Sequence, residues 1–223
     1  MTMDVGYAEL AIGSILISNL VLAKFLGLCP FFGVSRRTSD AVGMGLAVIF
    51  VISIASAVTA LIYRHVLLPT TPEHTNVLGA LGLPVPEGGY VLVLKTISYI
   101  LVIAVLVQFV EMVLRKAVPT LYRALGIYLP LITTNCAVMG MALLNTEAWR
   151  DPANGLPVHL AAFNGFCGGV GFLVAMLLMS GIRERLAERP VPKPFRDLPI
   201  AFISGGLMAL AFMGFANLFG IAV

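Results

Sequence analysis

Charge is what this chain has least of. Asp, Glu, Lys and Arg make up 11% of its residues, against about 25% in an ordinary soluble domain. Too few polar groups remain to clothe a particle in water, which excludes a soluble enzyme and leaves nucleic-acid binding without support. Histidine and cysteine are scarce as well, at three each. His65, His74 and His159 show no ligand spacing, and no two cysteines form CxxC, so zinc-finger and thioredoxin-type motifs are absent. No charged run or low-complexity tail is long enough for a separate domain. The opening stretch Met1–Tyr7 lacks a basic region and a small-residue cleavage site, so the first apolar segment is expected to stay in the membrane.

What is present is apolar surface. Hydrophobic residues reach 59% and mean hydropathy is +0.99. About 20 mostly apolar residues span a hydrocarbon core. Six stretches qualify, at roughly 8–29, 41–63, 91–114, 125–145, 158–181 and 198–221. Inside a bilayer the backbone must satisfy its own hydrogen bonds, so each is expected to be a helix. The fold class expected is an all-α integral membrane protein of six transmembrane helices, a single domain over residues 1–223. Small residues in the second span (Gly43, Gly45, Ala47, Ser53, Ala55, Ser56, Ala57) and the sixth (Ser204, Gly205, Gly206, Gly214) predict close helix contacts there. The connection at about 64–90 is rich in turn residues and reads as a loop outside the membrane, with a short helix around Asn76–Leu81.

Orientation follows from the 14 Lys and Arg. Ten fall between spans one and two, three and four, or five and six: Arg36, Arg37, Arg115, Lys116, Arg123, Arg183, Arg185, Arg189, Lys193 and Arg196. The other face carries Arg64, Lys95 and Arg150. The positive-inside rule places the ten in the cytoplasm and both termini outside.

Two of the cysteines occupy matched places. Cys29 lies in Phe25-Leu-Gly-Leu-Cys-Pro-Phe-Phe-Gly33 and Cys136 in Ile132-Thr-Thr-Asn-Cys-Ala-Val-Met-Gly140. Both read Cys-x-x-x-Gly, and each follows a Leu by seven residues (Leu22, Leu129). One belongs to the first span of the first three, the other to the first span of the second three. Three is odd, so the second half enters the membrane from the opposite side. The pattern predicts an inverted 3+3 repeat, with halves at about 1–116 and 117–223 and functional residues at the repeat interface. Gly27, Pro30 and Gly33 around Cys29 predict a broken first helix. Thr133, Thr134 and Asn135 before Cys136 suggest the same of the fourth. Thiolates suit iron–sulfur clusters, zinc or Cu(I), while cysteine also serves as a small apolar core residue. A [2Fe–2S] centre takes four Cys as a rule; the matched pair would be half a site, and Cys167 lies outside the motif.

Other polar residues carry two readings each. Lys24, inside the first span, either compensates an anionic group or snorkels to an interface. Glu111 either joins an ion path or pairs with Arg115 one turn on. Asn19, Asn135, Asn145 and Asn164 suit interhelical hydrogen bonding as well as ion binding. The run Arg183–Arg196, interleaved with three Pro, reads as a solvated loop and topology determinant, with docking of another protein as the alternative. The ten Met form no Cu(I)-transport cluster.

At these residues the chain resembles the A-type membrane component of the Rnf electron-transport complexes, ion-translocating ferredoxin:NAD⁺ oxidoreductases. The matching stretches are Leu22–Phe31, Ile100–Phe109, Tyr122–Ile127, Leu129–Ala137, Ile182–Leu186 and Leu210–Phe215, spread over nearly the whole chain. The Na⁺-translocating NADH:quinone reductases have a similar but more distant component. Two features depart from the family: a longer loop at about 70–88, and Cys167. The resemblance implies a bacterial inner-membrane protein paired with a homologous E-type component of opposite orientation. The two would share an intramembrane [2Fe–2S] cluster, with Cys29 and Cys136 as the ligands here and Lys24, Thr134 and Asn135 close by. Electrons would pass to flavin-bearing subunits from an iron–sulfur subunit, coupled to Na⁺ or H⁺ movement. This chain would carry no flavin and perform no substrate chemistry. The rival reading is a free-standing secondary transporter or channel, since inverted repeats and broken helices are transporter traits.

The charge asymmetry is directly testable. Reporter fusions at Val223 and in the 64–90 loop are expected to report the outer face, and fusions after Arg37 or Arg189 the cytoplasm. A cytoplasmic Val223 would overturn the orientation and the inversion of the halves together.

Overall fold

The computed structural model describes residues 7–63, 90–117, 131, 135–147 and 157–218. Seven α-helices account for most of them: α1 (Tyr7–Ile12), α2 (Leu28–Val34), α3 (Thr38–Ile62), α4 (Tyr90–Ala117), α5 (Cys136–Glu147), α6 (Val158–Ala187) and α7 (Leu198–Leu218). No strand occurs among the described residues. α3 and α6 are long and apolar enough to cross a membrane. Shorter apolar stretches are Thr96–Phe109, Cys136–Asn145 and Leu198–Gly214. The expected short helix near 76–81, and the stretch at 125–134 apart from Leu131, lie outside the described residues.

The first span is indeed interrupted, though not where proline suggested. α1 runs into a turn of π-helix at Gly13–Ile17, closed by the Ser18 N–H on the Gly13 carbonyl at 2.6 Å. Regular helix then stops until Leu28. Pro30 takes the third position of α2, where a missing N–H costs little because the first turn has no intrahelical acceptor for it. The break lies upstream and is marked by two left-handed residues, Phe25 (φ 56°) and Gly27 (φ 79°).

α3 and α6 form the centre and run antiparallel, since Gly45 faces Leu173, Ile49 faces Gly169 and Ser56 faces Gly165. Their approach is close enough that a Cβ on Gly169 would lie 2.8 Å from the Ile49 Cα, and one on Gly165 would lie 3.1 Å from the Ile52 carbonyl oxygen. Small residues let backbones approach in this way. Sequence placed the close contacts in the second and sixth spans. The structure keeps Gly45 in that role but adds Gly165 and Gly169 of the fifth span as partners. In the sixth span Gly205 packs on the Phe32 ring, while a Cβ on Gly206 or Gly214 would meet nothing within 4 Å among the described residues. Around the α3–α6 pair lie buried Val48, Val51, Ile52, Phe172, Met176 and Met179.

The ends of this pair are tied by polar contacts. The Glu184 carboxylate accepts from both the Thr38 N–H and the Thr38 hydroxyl at 2.8 Å, so an acid near the end of α6 caps the start of α3. Those two bonds, the backbone one foremost, hold the Glu184 carboxyl below its ordinary pKa. Beside it, the Arg183 guanidinium donates to the Phe32 carbonyl at 2.7 Å and to the Ser35 hydroxyl at 3.0 Å.

Gly169→Leu is expected to lower stability by about 3 kcal/mol or more, because the Ile49 backbone cannot yield to the new side chain. Gly206→Ala meets nothing within 4 Å among the described residues and is expected to be neutral or mildly stabilising. Unfolding of the two variants in detergent separates these outcomes; equal stabilities would refute the close approach.

Candidate functional site

The break in the first span places ten non-helical residues, 18–27, among apolar neighbours. Leu20, Val21 and Leu22 are buried. Backbone at such depth is tolerated only when its polar groups find partners inside the protein. Asn19 supplies partners for four N–H groups of the break, since its backbone carbonyl accepts from Ala23 (2.9 Å) and Lys24 (3.2 Å) and its side chain serves two more. Its side-chain oxygen accepts from the N–H groups of Val21 (3.0 Å) and Leu22 (3.3 Å). Its amide nitrogen donates to the carbonyls of Ile15 (3.0 Å) and Gly171 (2.9 Å). All four hydrogen-bonding positions of a primary amide are thereby used. The chain then turns back on itself, with Leu26 N–H on the Leu20 carbonyl at 2.8 Å.

This turn delivers Gly27 against the start of α5. The Gly27 N–H donates to Cys136 Sγ at 2.9 Å. A Cβ at Gly27 would stand 2.8 Å from the Phe172 ring, 3.2 Å from the Ala137 methyl and 3.2 Å from the Asn135 side-chain oxygen. Leu26 in turn occupies the space beside Gly140, the closing glycine of the second Cys-x-x-x-Gly motif. The two matched sequence patches therefore touch each other directly. Cys29 stands two residues past Gly27 in the first turn of α2, and Cys136 is the first residue of α5. Both are exposed on the surface of the chain, whereas Cys167 is buried inside α6 packing at 3% exposure.

Asn135 is buried before Cys136, and its oxygen accepts the Ala137 N–H at 3.0 Å. Its amide nitrogen has no partner among the described residues. Lys24 sits in the break, half-buried and without an ion pair among the described residues. Thr134 lies outside them. No group of three His, Cys, Asp or Glu able to hold a metal occurs among the described residues. Two exposed thiols near an unpartnered amide are groups chemically able to ligate a soft metal.

A second polar line crosses the other end of the bundle. Ser14 donates to the Asn164 oxygen, the Asn164 amide donates to the Asn145 oxygen at 2.7 Å, and the Asn145 amide reaches the Ala161 carbonyl at 3.4 Å. Asn19, Asn145 and Asn164 thus serve as interhelical hydrogen-bonding residues, one of the two roles their positions suggested. The Ser14 link was invisible in the sequence because a serine near a span's end has many uses. Phe172 and the glycines of α6 were also missed; only their pairing with distant residues gives them a role.

These features define an α-helical membrane protein with two exposed cysteines, at the starts of α2 and α5. The family model described as "Rnf-Nqr subunit, membrane protein" matches residues 7–219, and the chain belongs to that family. It is 49% identical over 212 residues to the A component of the ion-translocating oxidoreductase complex of Yersinia pestis, covering 95% of this chain and 97% of the relative. The protein of the same name in Aliivibrio salmonicida is 48% identical over the same length and coverage.

Gly27 and Gly33 flank Cys29 alike in sequence but not in structure. Gly27→Ala is expected to lower stability by about 2 kcal/mol or more, from the left-handed backbone and from contact with Phe172. Gly33→Ala, in helix with nothing within 4 Å among the described residues, is expected to be neutral or to stabilise by up to about 1 kcal/mol. Thermal unfolding of both variants checks this, and an equal response would dismiss the special role of Gly27.

Proposed function

We propose that this chain is a membrane component of an ion-translocating oxidoreductase complex in a bacterial membrane. In this reading Cys29 and Cys136 supply two of the four thiolates of a [2Fe–2S] cluster shared with a homologous protein of opposite orientation. The observation that carries it is the Gly27–Cys136 contact, which draws the two matched motifs into one surface site. Support also comes from the family and from the names of the relatives.

The residues of this chain divide the work. Cys29 and Cys136 are exposed residues whose sulfurs a partner's two thiolates would join in a four-thiolate set. The Gly27 N–H donates to Cys136 Sγ and so stabilises negative charge on that sulfur. The N–H groups opening α5 favour negative charge at the same place. Asn135 keeps an amide donor in reserve beside it. Asn19 holds the break in position against α6, which fixes where Cys29 stands. When bound, such a cluster supplies a one-electron relay, and no flavin is assigned to this chain. Lys24 is read as a nearby cation offsetting the cluster's charge. The same proposal includes six spans in an inverted repeat, both termini outside, and coupling to Na⁺ or H⁺ movement with flavin-bearing and iron–sulfur subunits as partners.

A second reading, a free-standing secondary transporter, draws on the Ser14–Asn164–Asn145 line and on the broken first span. Iron separates the two. Cys29→Ala and Cys136→Ala are each expected to abolish the [2Fe–2S] electron paramagnetic resonance signal and the associated iron of the purified complex. Flavin content is expected to persist. Cys167→Ala is the control and is expected to retain cluster and activity. A full cluster without Cys29 or Cys136 would refute the ligand assignment, and an iron-free active wild type would favour the transporter.

A further inference from the structure

The arginine-rich end of the molecule holds a cavity that the thiol site does not use. Three uncharged runs stop there: Ala41–Tyr63 at its start, Leu160–Ile182 at its end, and Leu198–Leu218 at its start. Charge begins at that level, which is where the hydrocarbon of a bilayer gives way to headgroups. Between the end of α6, the beginning of α7 and the turn after α2 lies a cavity of about 360 Å³. Four guanidinium groups line it, from Arg36, Arg183, Arg189 and Arg196, against the single carboxylate of Asp197.

This is an excess of positive charge gathered around a concave surface. Arg183 is fixed by Phe32 and Ser35. The side chains of Arg36, Arg189 and Arg196 form no hydrogen bond or ion pair among the described residues. Burial first, and then the neighbouring Arg36 charge, lower the Arg183 pKa, with Asp197 opposing; a guanidinium nevertheless stays charged. Like charges held together call for a counter-anion. The wall that carries Arg189 and Arg196 is stiff, since Pro190, Pro192 and Pro194 each fix φ and a 3₁₀ turn spans Lys193–Phe195. Little ordering remains to be done when a ligand arrives. Leu186, Val191 and Ile200 add apolar lining, and α7 leads away from the cavity with Leu198, Phe202 and Met213 exposed along one face.

We propose that this cavity binds the phosphate of an anionic membrane-lipid headgroup, with the acyl chains lying along the exposed face of α7. Guanidinium forks match phosphate oxygens in pairs. Basic pockets between transmembrane helices are known to take anionic headgroups. A free phosphate shares the headgroup's chemistry, but it has no use for the apolar strip that continues from the cavity.

The test uses the full-length chain, delipidated in detergent with the proteins that co-purify. Its thermal unfolding is titrated with phosphatidylglycerol, with phosphatidylcholine and with inorganic phosphate. Phosphatidylglycerol is expected to raise Tm at the lowest concentration of the three. Arg189→Gln with Arg196→Gln leaves the Arg183 contacts in place and is expected to weaken that response by roughly 25-fold, about five-fold for each charge removed at a membrane surface. The corresponding double Lys variant is expected to restore most of it. An unchanged response in the folded double Gln variant would overturn the proposal. Phosphate matching phosphatidylglycerol would overturn the lipid assignment in favour of a soluble anion. Loss of a co-purifying protein from the double Gln variant, with lipid response unchanged, would reassign the cavity to an acidic protein surface.

Discussion

Everything about the thiol site depends on one amide side chain satisfying backbone that has left the helix. Ten residues without regular helix inside an apolar bundle would strand several N–H and C=O groups, each costing on the order of kilocalories. Asn19 binds two N–H groups ahead of it, one carbonyl behind it and one carbonyl on α6. That last bond converts a local turn into a tertiary fixture. Because the break is anchored on Gly171, the residues that follow arrive at α5 in a defined place, and Gly27 meets Cys136.

The α3–α6 pair is the frame on which this rests. Its glycines bring two backbones nearly into contact, which gives α6 a fixed position and a rigid face. Gly171 and Phe172 lie on the same helix, a fraction of a turn beyond Gly169. The break therefore docks on the stiffest element available. The polar ties at the end of the pair, Glu184 on Thr38 and Arg183 on the turn after α2, hold α2 and α3 in register with α6.

Two surfaces follow from this construction. One presents the exposed residues Cys29 and Cys136 near the buried Asn135 amide. The other gathers guanidiniums at the level where apolar helix gives way to charge. They share α6 as support but not residues. Cys167 illustrates the contrast between composition and position: it is the same chemical group as the other two, yet burial in α6 packing removes it from any surface chemistry.

Scarcity of charge and continuous apolar runs by themselves pointed to a helical membrane protein, since the strands of a membrane barrel alternate polar and apolar residues instead. The matched Cys-x-x-x-Gly stretches and the family resemblance pointed to Cys29 and Cys136 for the same reason that any repeat does, namely that two copies of a pattern imply one constraint. Other features were decided only by tertiary structure. Proline at position 30 suggested the break, but the break falls at 18–27, because proline is harmless in a first turn while Asn19 and Gly27 make non-helical backbone stable. Small residues suggested close contacts of the second and sixth stretches; the second meets the glycines of the fifth and Gly205 of the sixth meets Phe32, partners that a glycine stripe does not by itself name. The touching of the two motifs through Gly27, Leu26 and Gly140 joins residues more than a hundred positions apart. Sequence spacing carries no information about such a distance; the packing of α6 against the break and against α5 sets it.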